Sequence, residues 1–170
     1  MNFRIKKFGS HRVEPSIGRD HLIQLLEEIE RRSEIELFIL ETNGILFGSS
    51  KNYVKEISHY RKVHVRVSLK AGEPNAFTLR TGAIKEAFQL PFNAISNLLK
   101  YDVSFHVAAM TDPRIMPSEE RRMLIERLAK IDLVVAANLE EEVCDPYETT
   151  IVRMHVYGVD PVKFFKMKAY

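Results

Sequence analysis

Residues Val63 to Lys70 constrain this chain more than any other stretch. Val63, Val65, Val67 and Leu69 alternate with His64, Arg66, Ser68 and Lys70. A period of two in β-branched residues predicts a strand with one apolar face and one face of imidazole, guanidinium, hydroxyl and ammonium groups. Val103 to Met110 repeats the pattern, with Val103, Phe105 and Val107 set against Ser104, His106 and Ala108. Both runs are too short and too polar on one side to serve as core helices.

The segments around these two predict a β-α alternation. Residues 3–8 alternate weakly, as a first strand. Asp20 is placed to cap a helix through about Arg32, with Leu22, Leu25, Leu26 and Ile29 on one face. Residues 35–40 form a near-continuous apolar strand that runs into the turn Glu41-Thr42-Asn43-Gly44. Ser50 opens a second helix, and a loop carrying Gly72, Pro74 and Gly82 follows the Val63 strand. A helix over 84–100 is broken or restarted at Pro91. Ser118 caps a helix to about Lys130, residues 131–136 read as a further strand, and Asp145 to Glu148 starts a last helix that stops at Gly158.

Alternation of this kind, with crossovers long enough for helices, predicts an α/β fold with a mostly parallel sheet. A flat doubly wound sheet would bury both strand faces and make them apolar throughout. The one-sided strands instead favour an open, partial (β/α) barrel with helices outside and polar side chains lining a cavity. A solvent-facing strand is the plainer alternative. A chain of 170 residues predicts a single domain, 1–170, with the partial barrel over 1–136 and a C-terminal helical extension over 137–170.

Ligands of parallel β/α sheets sit at the carboxyl ends of strands. Glu41, Thr42 and Asn43 there offer a carboxylate, a hydroxyl and an amide, with Gly44 for a positive φ; a purely local turn is the alternative use of the same residues. His64, Arg66 and Lys70 share a face that would receive a carboxylate or phosphate if enclosed, or water if not. His106, between apolar neighbours, suits a hydrogen-bonded interior residue better than a metal ligand. A small α/β enzyme using it as acid or base ranks last, since no nucleophile or carboxylate can be tied to it. Net charge is +2 with signs intermixed, which argues against a nucleic-acid partner. No apolar run approaches a membrane span, and a single cysteine, Cys144, excludes an internal disulfide and suits a cytoplasmic protein.

Residues 35–136 resemble the radical SAM superfamily, in particular archaeal proteins similar to pyruvate formate-lyase activating enzymes. The resemblance is carried by Leu40-Glu41-Thr42-Asn43-Gly44, Val65-Arg66-Val67-Ser68-Leu69-Lys70, Leu79-Arg80-Thr81-Gly82-Ala83, Val103-Ser104-Phe105-His106 and Glu119 to Leu128. It implies a partial barrel that reductively cleaves S-adenosylmethionine, with Glu41, Thr42, Asn43, Ser68 and Lys70 at the cofactor end. His64, Arg66 and His106 would line the cavity. Upstream, His11 to Asp20 resembles a degenerate Gly-Gly-Glu-Pro-Thr segment that keeps Glu14 and Pro15, so Glu14 joins the cofactor-binding candidates. Ser68 stands where some activating enzymes carry an aspartate for a monovalent cation.

The family holds a 4Fe-4S cluster with CxxxCxxC. This sequence has one cysteine, so no cluster ligand set and no metal site are expected from it. The resemblance therefore implies a truncated or degenerate oxidoreductase, unable to cleave S-adenosylmethionine alone. The alternatives are a non-catalytic binding or assembly module, or one half of a split enzyme. Its exposed sheet edge would pair with a second copy or with a partner supplying the missing N-terminal part.

Overall fold

A computed structural model describes residues 7–10 and 14–165. Five strands, β1 (Lys7–Ser10), β2 (Leu37–Thr42), β3 (Val63–Leu69), β4 (Phe105–Met110) and β5 (Glu140–Glu142), form one sheet in the order β1-β2-β3-β4-β5. Every pairing is parallel. Consecutive parallel strands joined by right-handed crossovers place all connecting helices on one side and curl the sheet around the other. The architecture is an open α/β partial barrel, as the one-sided strands predict.

The helices are α1 (Arg19–Arg31), α2 (Ile45–Ser49), α3 (Lys51–Ile57), α4 (Pro74–Thr81), α5 (Leu90–Lys100), α6 (Ser118–Ile131), α7 (Leu133–Ala137), α8 (Glu148–Val156) and α9 (Pro161–Phe165). The core lies between them and the apolar strand face. Phe38 and Leu40 of β2, the three valines of β3 and Val107 of β4 pack with Leu26, Phe47, Ile57, Ile95, Leu98 and Leu124. Each large aliphatic or aromatic side chain so buried stabilises the fold by about 1.5–3 kcal/mol.

Several expectations need correction. The 131–136 run is helical. Asp132 is extended and its carboxylate accepts the Val134 and Val135 amides, so an N-cap turns an apolar run into α7. The last strand lies instead at Glu140–Glu142, within the stretch read as a helical extension, and it brings no apolar side chain of its own to the backbone ladder with β4. α1 begins at Arg19 after Gly18, and Asp20 sits inside its first turn rather than at its cap. The 72–82 loop holds α4, capped by Glu73 through the Ala76 amide and opened by Pro74. The restart at Pro91 is present, as a 3₁₀ turn over Lys85–Gln89 leading into α5. The strand read at 3–8 falls largely outside the described residues. No helix among the described residues is long and apolar enough to cross a membrane.

Candidate functional site

The sequence candidates separate into three groups. The first joins Glu14 to the end of β2. Its carboxylate accepts the Thr42 hydroxyl at 2.8 Å, the Asn43 amide at 2.7 Å and the Ser16 amide at 3.3 Å. Thr42 is 3% exposed and its Oγ1 accepts the Gly44 amide. Gly44 takes φ 77°, and a Cβ there would stand 3.1 Å from Pro91 Cα and 3.3 Å from Ala94 Cβ and Val67 Cγ1. Asn43 Oδ1 caps the turn through the Ile45 amide at 2.9 Å. The contacts seen here are those of the local reading: the turn consumes the Asn43 Oδ1 and Thr42 Oγ1 acceptors, and Glu14 fastens its own segment to the strand end.

The second group borders a pocket of about 190 Å³ at the carboxyl ends of β2 and β3. Asn43, Ser68 and Lys70 form its polar rim, and Phe77, Phe88 and Phe92 its apolar wall. Lys70 is exposed and its Nζ donates to Ser68 Oγ at 2.6 Å. The wall is held by ring contacts, Phe88 standing edge-on to Phe92 at 5.2 Å.

The third group covers the concave face. Arg66 donates to Glu41 at 3.4 Å, Glu140 at 3.0 Å and Glu142 at 2.7 Å. His64 Nε2 lies 2.6 Å from His106 Nδ1, His64 Nδ1 lies 2.7 Å from Ser104 Oγ, and His106 Nε2 lies 2.8 Å from Glu140. With both imidazoles neutral and His106 donating to Glu140, the remaining protons follow: His64 donates to His106 and Ser104 donates to His64. Arg66 holds the Glu140 carboxyl below its usual range, against partial burial and with help from His106. Glu41 thus belongs to this face rather than to the Thr42–Asn43 turn, since successive strand residues point to opposite sides. His64, Arg66 and His106, expected to line a hollow, are knitted to carboxylates and to each other. Glu140 and Glu142 were missed, since a continuous run of three glutamates carries no local signal that singles out its two ends.

A buried clip closes the end of β4. Asp112, 1% exposed, accepts Arg114 Nε at 2.8 Å and the Cys144 amide at 2.9 Å, while Arg114 donates to the Cys144 and Phe165 carbonyls. Hydrogen bonding from Arg114 outweighs burial and holds the Asp112 carboxyl down at about 2. A depressed carboxyl stabilises the fold above its ordinary value of 3.8 and loses that contribution as pH falls toward about 2. Urea unfolding at pH ~5 and ~2.5 is therefore expected to show about 2 kcal/mol of pH-dependent stability that Asp112→Asn lacks. An unchanged difference between the two pH values in the variant would refute this assignment.

An open barrel with its ligand end at the strand termini is the scaffold of radical SAM enzymes, and solved structures of that class are similar to this chain. They are structures of the anaerobic sulfatase-maturating enzyme anSMEcpe. Its complex with AdoMet and the Kp18Cys peptide matches with a TM-score of 0.62 and 19% identity, over 82% of this chain and 38% of that one. Its complex with AdoMet and the Cp18Cys peptide matches with a TM-score of 0.62 and 16% identity, over 91% and 48%. At these identities the likeness establishes the fold, and this chain spans less than half the length of those neighbours. No family model and no curated protein matches the sequence.

The pocket offers an ammonium, an amide and a hydroxyl at its rim and an aromatic wall behind them. A 4Fe-4S cluster does not fit. It requires three thiolates, and the sole thiol, Cys144, follows β5 with its amide bonded to Asp112. Among the described residues no group of three or more potential ligands could hold a metal ion.

Proposed function

We propose that this chain is a radical SAM-type barrel, related to the glycyl-radical activating enzymes that act on pyruvate formate-lyase, which binds S-adenosylmethionine without cleaving it by its own residues. The supporting observation is the pocket at the carboxyl ends of β2 and β3, with Lys70, Ser68 and Asn43 facing Phe77, Phe88 and Phe92. The AdoMet bound in the anSMEcpe neighbours supports the choice of ligand. Lys70 pairs with the methionyl carboxylate, the phenylalanines receive the adenine, and Glu14 keeps the β2 turn in the shape that completes the rim. One cysteine among these 170 residues leaves them no electron source for reductive cleavage, so the chemistry of the class would need a cluster held by residues outside them.

Calorimetric titration and thermal shift with S-adenosylmethionine test this. A ligand at about 100 times its Kd adds about 2.7 kcal/mol to stability. Lys70→Ala is expected to weaken binding about tenfold or more, the value of a charge-assisted hydrogen bond. Absence of any heat or melting shift at ~1 mM ligand, ample for a Kd of ~10 µM, would remove the proposal. Among the described residues β1 ends the sheet on one side, and its outer edge is where a second copy or a cluster-bearing partner would add a strand. Size exclusion of the same samples reads that assembly, and a monomer with and without ligand counts against self-pairing.

A further inference from the structure

β5 departs from the rules that hold the other strands. Its whole sequence is Glu140-Glu141-Glu142, residue types depleted in strands, and it contributes no apolar side chain to the core. What keeps it on the sheet is a three-residue ladder to β4 and a set of ion pairs on both faces. On the concave face Glu140 and Glu142 meet Arg66, and Glu140 also meets His106. On the opposite face Glu141 meets Arg121 of α6 at 2.5 Å, with the Thr111 side chain beside it. The other charged or titratable groups facing the strand are His64 behind His106 and Glu41 on the far side of Arg66.

The outer partners of these pairs are half open to water, while Arg66 and Glu142 at their centre are 14% and 25% exposed. The Glu140 and Glu141 side chains are 48% and 40% exposed and Arg121 is 43% exposed, so salt screens them as it does not screen the core. The segment beyond is also lightly anchored. α8 has no buried residue, and the chain touches down again through the Asp112–Arg114 clip and at Pro161 and Phe165.

We propose that β5 is an acidic strap held by charge, which leaves the sheet as a unit while β2, β3 and β4 remain folded. Its departure opens the β4 edge with Arg66, His64 and His106 beneath it, a groove whose chemistry suits an acidic extended segment. β5 is the resident occupant of that groove: it pairs its backbone with β4 and places carboxylates at i and i+2 on one guanidinium. Partial opening of this kind belongs to elements with few apolar contacts and exposed ladders.

Amide hydrogen exchange on the full chain tests the inference. The reporter is the Thr111 amide, which donates to the Glu142 carbonyl at 3.2 Å; the reference is the Val65 amide, which donates to the Ser104 carbonyl at 2.9 Å. Raising NaCl from ~0.05 to ~1 M is expected to speed Thr111 exchange about tenfold or more and to leave Val65 nearly unchanged. Arg66→Gln is expected to give the same selective loss at low salt. Arg121→Gln, on the opposite face, gives it without touching the imidazoles. If Thr111 and Val65 exchange in parallel across the salt range and in both variants, β5 opens only with the whole fold and the proposal is overturned.

Discussion

Glu120→Ala is expected to cost about 3–5 kcal/mol, the penalty for leaving a buried charge without its partner. Glu120 is 7% exposed and sits where three segments meet. Arg80 grips both its oxygens, at 2.5 and 2.7 Å, and the Gly72 amide donates to it at 2.9 Å. The same guanidinium donates to the Lys70 and Ile115 carbonyls. Burial alone would raise the Glu120 carboxyl; the Arg80 and Gly72 hydrogen bonds together with the Arg80 charge outweigh it, and the group stays ionised. Without the carboxylate, Arg80 loses its counter-charge and Gly72 its acceptor at once.

Gly72 and the start of α6 also approach closely, since a Cβ on Gly72 would stand 2.3 Å from the Glu120 carbonyl oxygen. The clamp joins the end of β3 to α4 and α6, so Lys70 and Phe77 of the pocket are expected to shift with it. Thermal unfolding of Glu120→Ala and Arg80→Ala reads the effect, at roughly 2–4 °C of melting temperature per kcal/mol for a chain of this size. The double variant Arg80→Met/Glu120→Leu is expected to recover part of the loss, since apolar pairs of similar volume replace buried ion pairs well. A loss below about 1 kcal/mol in both single variants would show that water satisfies the clamp.

Gly48→Ala is expected to destabilise by about 3 kcal/mol or more, although alanine is the better helix former by about 0.5–1 kcal/mol. Gly48 lies in α2, and its Cβ would fall 1.9 Å from the carbonyl oxygen and 2.6 Å from the carbonyl carbon of Leu90. These are backbone atoms at the start of α5, so accommodation requires the two helices to move apart. The Asn97 side chain crosses the same interface to donate to the Phe47 carbonyl at 2.9 Å, and that bond would open too. Gly18→Ala serves as the control, since its Cβ would meet only the His21 Cβ at 3.7 Å. Equal melting temperatures for the two variants would contradict the close approach of α2 and α5.

Much of the barrel was legible because one-dimensional signals carried it. The alternation in Val63–Leu69 reappears as alternate buried and half-buried residues. Ser50 caps α3 through the Tyr53 amide as its residue type suggests, and Gly158 stops α8 with a positive φ. Reading failed where a local polar group redirected an apolar run. Asp132 made 131–136 helical, and Glu73 with Pro74 made a helix of an expected loop. It failed again at β5, since nothing local in three glutamates announces a strand; the partners that stabilise it, Arg66 and Arg121, lie far away in the chain.

The amino-acid order by itself determined the sidedness of the strands, the parallel α/β class and the absence of a thiolate set for an iron–sulfur cluster, because periodicity and residue counts need no knowledge of distant neighbours. Only the tertiary structure decided how the polar residues divide. Glu14 joins Thr42 and Asn43, Lys70 joins the phenylalanine wall, and Glu41 goes with Arg66 to the face that β5 covers. The physical reason is that a polar side chain is placed by its hydrogen-bonding partner or counter-charge, and Glu14 and Glu41 find theirs on segments distant in the chain.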